Sequence, residues 1–125
     1  MQRLLVCTSL AVCILSGCSR GLDPDASKPE ADKALQTALE AWKNGKSQAD
    51  LEKGIPSIIM NEDDWRTGKR LLDYKAEESV LAGRQIRCRV WIKLQDQVNK
   101  TVETNAVYII DTTPRIVIVR DSFAS

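Results

Sequence analysis

The second half of the chain alternates apolar and polar residues in the manner of β-strands. From 86 to 94 the even-numbered residues are apolar and the odd-numbered residues are charged or tryptophan, which is the period of two expected for a strand with one buried face. Related patterns predict three more strands near 71–76, 102–112 and 115–120. Because the connections between them are short, the pattern predicts a four-stranded antiparallel meander.

In the register predicted for the two central strands, residues whose numbers sum to 200 lie opposite each other. Val90 then faces Ile110 on the apolar side, and Arg89 faces Asp111 on the other side as a cross-strand ion pair. That other side also carries three apolar residues, namely Trp91, Val107 and Ile109. It is therefore either partly covered or a binding surface.

A period of three to four residues predicts helices in the first half of the chain. The first helix is expected to begin at Ser27, which has the capping-box spacing with Glu30, and to end at Asn44 and Gly45. Its apolar residues form one stripe that requires a partner: Ala31, Ala34, Leu35, Ala38, Leu39 and Trp42.

A shorter helix and an extended segment are predicted next. Ser47 is a suitable cap and Gly54 a suitable terminator for the second helix. Pro56 disfavours helix at the residue before it and cannot donate to a strand ladder. Residues 55–60 are therefore interpreted as an extended apolar connector.

The acidic segment from Asn61 to Asp64 has two interpretations. Its three adjacent carboxylates could hold calcium, but the spacing lacks the alternating oxygen ligands and the glycine of a calcium loop. The favoured interpretation is a short helix capped by Asn61, with Trp65 packed inward and Gly68 ending the turn. We accordingly expect no metal site.

Helices followed by strands predict an α+β domain, with the amino-terminal helices packed on one face of a curved four-stranded antiparallel sheet. This order, with the turn Asp64-Trp65-x-x-Gly68 leading to Leu72 and Tyr74, resembles small bacterial lipoproteins of unknown function that have nuclear-transport-factor-2-like or cystatin-like folds. The resemblance covers roughly residues 30–120. Some proteins of that fold are cyclases or isomerases with an Asp-His pair, but this chain has no histidine to take that role.

The amino-terminal segment resembles a bacterial lipoprotein signal peptide. Arg3 precedes an apolar stretch over 4–15, and small residues lead to Cys18. The stretch is too short to span a bilayer, which takes about 20 residues. The alternatives are a buried amino-terminal helix or an ordinary cleaved signal that contains cysteine.

The resemblance implies a domain organisation and a location. Residues 1–17 would be removed, residues 18–26 would form a lipidated tether, and residues 27–125 would form one domain. Acylated Cys18 would anchor the protein to membrane lipid. Ser19 stands where an aspartate would signal retention in the inner membrane, which favours the outer membrane.

Composition narrows the chemistry further. The chain has 18 basic and 17 acidic side chains, and loss of Arg3 with the signal would leave 17 of each. This balance and the few aromatic residues give no support for nucleic-acid binding. Cys88 would be the remaining free thiol, without a disulfide partner or an activating histidine. No catalytic residue and no cofactor are predicted.

Two classes of function are compatible with these features. The first is a non-enzymatic binding or scaffold domain of the cell envelope that contacts an envelope protein or a cell-wall component. Its expected binding patch is the basic and aromatic face of one strand: Arg87, Arg89, Trp91 and Lys93. The alternative for this face is a solvated surface on which Asp111 neutralises Arg89.

The second class is a small-molecule pocket between the first helix and the sheet. It would serve a carrier or a cyclase-like or isomerase-like enzyme that uses Asp64, Asp73, Tyr74 or Glu77. A cavity with an ionisable group at its floor would favour this class. A closed interior would count against it, filled by the predicted core residues Leu35, Leu39, Trp42, Ile92 and Tyr108.

Overall fold

Three helices and six strands follow one another over residues 24–122, the part of the chain that the computed structural model describes, with side chains described from residue 27. In chain order the elements are α1 (Pro24–Lys43), α2 (Gln48–Glu52), β1 (Ile58–Asn61), α3 (Asp63–Arg66), β2 (Arg70–Ala76), β3 (Val80–Ala82), β4 (Gln85–Gln95), β5 (Thr101–Asp111) and β6 (Ile116–Arg120). The predicted signal segment 1–17 and the lipidation residue Cys18 lie outside the described residues.

The strands form one mixed sheet in the order β1-β6-β5-β4-β2, and β3 pairs with β4 on the edge that β2 also uses. The α+β class is confirmed, but the four-stranded antiparallel meander is wrong. β1 runs parallel to β6, with Ile58 opposite Ile116, so the predicted connector 55–60 contains a strand. Pro56 precedes that strand and therefore removes no donor from its ladder.

The predicted register between β4 and β5 is also wrong. Val90 lies opposite Ala106 rather than Ile110, a displacement of four residues. Because four is an even number, each residue keeps its face but changes its partner. Arg89 consequently lies opposite Val107 and not opposite Asp111, so the predicted cross-strand ion pair does not form.

The hairpin loop between β4 and β5 explains this register. The carboxylate of Asp96 accepts hydrogen bonds from the backbone N–H of Val98 (3.0 Å) and of Lys100 (2.8 Å). Asn99 takes the left-handed conformation, with φ of 65°, which asparagine tolerates better than most residues. The loop therefore closes immediately after Gln95, and the pairing follows from that point.

Burial along β4 separates the two faces of the sheet. Its even-numbered residues are buried and its odd-numbered residues are at least partly exposed. We call the buried side the inner face and the opposite side the outer face. The predicted apolar stripe of α1 packs on the inner face, and all five predicted core residues are buried: Leu35, Leu39, Trp42, Ile92 and Tyr108.

Helix α1 runs antiparallel to β2 along the inner face. Asp32, in the first half of α1, accepts a hydrogen bond from Ser79 Oγ (2.5 Å), and Glu40, nearer its end, accepts one from Tyr74 Oη (2.5 Å). The helix starts at Pro24 rather than at the predicted cap Ser27. Proline is favoured at the first helical position because its missing N–H costs no bond there.

Two tryptophans hold the helices against the end of the sheet where β2 begins. The rings of Trp42 and Trp65 are stacked, with centroids 5.4 Å apart and planes at 9°. Trp42 Nε1 donates to the carbonyl of Lys69, and Trp65 Nε1 donates to the carbonyl of Lys46, each at 2.9 Å. The prediction that Trp65 packs inward is confirmed.

Strand β2 contains a bulge that its sequence pattern did not indicate. The pairing with β4 shifts between Leu71 and Asp73, so that Leu71 and Tyr74 both approach the inner face. The predicted alternation of Leu72 with Tyr74 on a single face is therefore wrong. One extra residue in one strand is what a β-bulge adds, and it changes the face on which later residues lie.

Candidate functional site

The candidate binding patch lies on the outer face of the sheet. The structure places Arg87, Arg89, Trp91 and Lys93 on the same side of β4, facing away from α1. We call these four residues the basic strip. The strip spans the middle of an eleven-residue strand that is paired on both sides, so its backbone positions are fixed by the ladder.

Trp91 lies at the centre of a group of cations. Its cross-strand neighbours are Lys75 on β2 and Asn105 on β5. Arg89 and Lys93 lie two residues before and two residues after Trp91 in β4, on the same face of the sheet. Trp91 Nε1 donates to Glu103 Oε1 at 3.3 Å. Three positive charges therefore surround one partly buried indole, and Lys93 lies opposite two carboxylates, Glu103 on β5 and Asp73 on β2.

The cations of this face differ in whether they are already neutralised. Arg87 Nη2 forms an ion pair with Asp121 Oδ2 at 2.7 Å. The side chains of Arg89, Lys75 and Lys93 form no hydrogen bond or ion pair with any residue between 24 and 122. These three charges are therefore available to an anionic ligand, whereas Arg87 contributes to the fold.

An apolar area continues from the basic strip across the outer face. Val107, opposite Arg89, is buried although it lies outside the core cluster. We call the neighbouring outward residues of β1, β5 and β6 the outer apolar area: Ile59, Val107, Ile109, Val117 and Val119. Val119 is 37% exposed. The outer face thus combines free cations with apolar surface.

The acidic segment from 61 to 64 forms a structural network. Glu62, fully buried, caps α3 by accepting a hydrogen bond from the Asp64 backbone N–H (3.0 Å), so the predicted cap Asn61 is wrong. Tyr108 Oη donates to the other oxygen of Glu62, and Arg120 contacts both Glu62 and Asp64. In the described part of the chain, no group of three or more Cys, Asp or Glu side chains converges in a way that could hold a metal ion.

The protonation of this network follows from its contacts. Burial would raise the pKa of Asp64, but hydrogen bonds from Lys69 and Arg120 outweigh burial and lower it. Burial and the adjacent Glu62 carboxylate raise the pKa of Tyr108. Tyr108 therefore stays a hydrogen-bond donor. The sequence did not indicate this network, because its members come from three separate elements.

A cavity of about 270 Å³ lies between α1 and the sheet. Asp32, Tyr74, Glu77 and Cys88 line it together with apolar side chains of α1. Of the four residues considered for an enzymatic or carrier pocket, Tyr74 and Glu77 line this cavity. The other two do not line it. Asp64 forms an ion pair with Arg120, and Asp73 Oδ1 lies 3.9 Å from Lys43 Nζ on the surface.

Two of the groups that line this cavity, Cys88 and Tyr74, are poor nucleophiles. Burial raises the pKa of the Cys88 thiol to about 11, and its Sγ donates to the carbonyl of Glu77 at 3.2 Å. Burial and the Glu40 carboxylate raise the pKa of Tyr74 to about 12. Both groups are therefore neutral near pH 7.

Comparisons with known proteins add no assignment. The chain matches no family model, no curated protein and no solved structure. Within residues 24–122, no helix is both long enough and apolar enough to cross a bilayer.

Proposed function

We propose that this chain is an exported bacterial lipoprotein of the cell envelope whose domain is a non-enzymatic binding module. Its basic strip would bind an acidic segment of an envelope protein or an anionic cell-wall component. The observation that carries the proposal is the group of three free cations, Arg89, Lys75 and Lys93, around Trp91. The anchor would be acylated Cys18, with the outer membrane favoured.

The physical argument starts from the charges. Arg89 on β4 and Lys75 on β2 lie on diagonal positions of the outer face, whereas Lys93 lies directly opposite Glu103 and Asp73. A ligand carboxylate or phosphate would bind between Arg89 and Lys75, and Arg89 could hold it with two parallel hydrogen bonds. Trp91 and the outer apolar area would supply the apolar contact that dominates the energy of most interfaces.

The anchor would fix where this binding takes place. Each buried methylene contributes about 0.8 kcal/mol to membrane binding, and two or more acyl chains give stable anchoring. If Cys18→Ser loses the acyl label and leaves the membrane fraction, the anchor is supported. A Cys18→Ser protein that remains acyl-labelled and membrane-bound would contradict it.

The binding proposal is tested by crosslinking in the cells that make the protein. The full-length chain is compared with the double variant Arg89→Glu/Lys93→Glu and with the control Lys53→Glu/Lys100→Glu, which changes the same charge at exposed loop positions. We expect a crosslinked partner that the control retains and the strip variant loses. Equal crosslinking by both variants would contradict the proposal. Arg87 is left unchanged because its ion pair supports the fold.

A second candidate function is a small-molecule carrier, or a cyclase-like or isomerase-like enzyme. The cavity lined by Asp32, Glu77 and apolar residues of α1 favours it. Two carboxylates beside apolar walls suit a small cationic ligand. A panel of amines that raises the melting temperature of the wild-type protein, but not of Glu77→Gln, would support this function.

A further inference from the structure

We propose that the end of the domain formed by the hairpin of β3 and β4 rests on the membrane surface. In this arrangement Val80 and Leu81 enter the interfacial region and Arg84 contacts the phosphate headgroups. The proposal rests on the anchor at Cys18 proposed above, and it adds a second contact between the protein and the bilayer.

The first step is the position of the start of α1. Lys28 Nζ lies 3.3 Å from Glu78 Oε2, and Asp32 accepts a hydrogen bond from Ser79. The start of α1 therefore lies beside the segment that leads into β3. Pro24 precedes Lys28 by one helical turn, about 6 Å at a rise of 1.5 Å per residue.

The second step is the reach of the tether. Five residues separate Cys18 from Pro24 in the sequence, so the six Cα–Cα steps span at most about 20 Å at 3.3–3.6 Å each. Strand β4 has eleven residues, which measure about 37 Å at 3.4 Å per residue. The tether is shorter than the sheet, so the end of the sheet near α1's start is the end held close to the membrane.

The third step is the surface at this end. In β3, Val80 is 57% exposed and Leu81 is 39% exposed. Gly83 has a φ of +66°, and no other atom lies within 4 Å of the position that its Cβ would occupy. The tip of the hairpin is therefore open, with exposed Arg84 next to the glycine.

The turn before β6 adds a basic residue to the same end. Ile55 is fully exposed and precedes β1, whose first residue, Ile58, pairs with Ile116 at the start of β6. The turn that precedes β6 lies at the end of the sheet where β4 begins, because Ile86 pairs with Ile110. Exposed Arg115 therefore lies at the end of the sheet where β4 begins, whereas Ile55 lines a cavity with Glu40 and Asn44 in the second half of α1.

These features fit a lipid surface. Apolar side chains gain free energy in the interfacial region, and arginine binds phosphate groups. Two exposed carboxylates, Glu77 and Glu78, lie beside the hairpin, and Glu78 is paired with Lys28, which reduces the repulsion of Glu78 from anionic headgroups. The hairpin thus offers the apolar side chains of Val80 and Leu81 next to Arg84, in reach of the anchor.

The test compares labels at the two ends of the sheet. Full-length acylated Leu81→Cys and Val98→Cys proteins are labelled with an environment-sensitive fluorophore and placed in phosphatidylethanolamine and phosphatidylglycerol vesicles that contain nitroxide lipids. Val98 is the control, because it is 79% exposed at the opposite hairpin. Cys88 should stay unlabelled, since it is buried and its pKa is raised to about 11.

We expect blue-shifted emission and strong quenching for the label at 81, and aqueous emission without quenching for the label at 98. We also expect Arg84→Glu to reduce the quenching at 81. Equal emission and quenching at 81 and 98 in an acylated, membrane-bound protein would overturn this proposal alone. A protein that carries no acyl group and washes off the vesicles would overturn the anchor, and this proposal with it.

Discussion

Replacement of Tyr108 by phenylalanine tests whether the buried network holds the two halves of the domain together. The side chain of Tyr108 is fully buried, and its hydroxyl donates to the carboxylate of Glu62, which is also fully buried. A hydrogen bond to a charged group contributes about 1.5–3 kcal/mol to stability. Tyr108→Phe removes this donor without changing the ring, so we expect a loss of about 2 kcal/mol.

The measurement is urea unfolding followed by tryptophan fluorescence and circular dichroism. With a slope of roughly 1–3 kcal/mol per molar urea, the midpoint should fall by about 1 M. The melting temperature should fall by about 8–16 °C, since each kcal/mol corresponds to roughly 4–8 °C in a domain of this size. The slope itself should not change, because the area exposed on unfolding stays the same.

Tyr74→Phe is the matched control. Tyr74 Oη also donates to a carboxylate, that of Glu40, but Glu40 is exposed and water can replace the tyrosine. The expected loss is therefore a few tenths of a kcal/mol. If Tyr108→Phe costs no more than Tyr74→Phe, the argument from buried charge is refuted. In a Glu62→Gln background the cost of Tyr108→Phe should also fall, which a double-mutant cycle would detect.

Three further predictions concern other parts of the fold. Because the pKa of Asp64 is lowered, its carboxylate stabilises the fold at pH values above its ordinary pKa of 3.8. This contribution is lost as the pH falls through the lowered pKa. The free energy of unfolding of Asp64→Asn should therefore fall less on acidification than that of the wild type. Trp42→Ala should cost about 3–5 kcal/mol in urea unfolding, whereas Trp42→Phe should cost less. Cys88 should react with a thiol reagent at pH 8 only in urea above the unfolding transition; rapid reaction of the native protein would contradict its burial.

The sequence predicted the elements that have a long and regular pattern. The stripe of α1 repeats over several turns, and β4 alternates over eleven residues, so the class of each and its buried face followed from the period. Ser47 was also predicted as a cap, and it forms a capping box with Asp50. These features depend on neighbours along the chain.

The sequence did not predict the features that depend on distant residues. β1 has four residues, too few to show an alternation, and its parallel partner β6 is the last strand of the chain. The Asp96 loop sets the register of β4 on β5. Apolar pairing does not set it, because three consecutive residues of β5 are buried although they lie on alternate faces: Ala106, Val107 and Tyr108. Several registers therefore place apolar residues opposite one another.

The same limit applies to the candidate site. The face that carries the basic strip followed from alternation along β4. Lys75 joins the group around Trp91 because β2 pairs with β4. Arg87 is neutralised by Asp121, which lies far from it in the sequence. Which cations are free could therefore not be deduced from one strand alone.

Burial of consecutive residues in β5 has a consequence for how the domain opens. Ala106, Val107 and Tyr108 are each at most 6% exposed, and the strand is bonded to β4 on one side and to β6 on the other. Backbone amides in such a strand exchange hydrogen with solvent only when the cooperative unit around them unfolds. The amides of this part of β5 should therefore exchange last, at a rate that reports the global free energy of unfolding, while the three-residue β3 opens by local fraying.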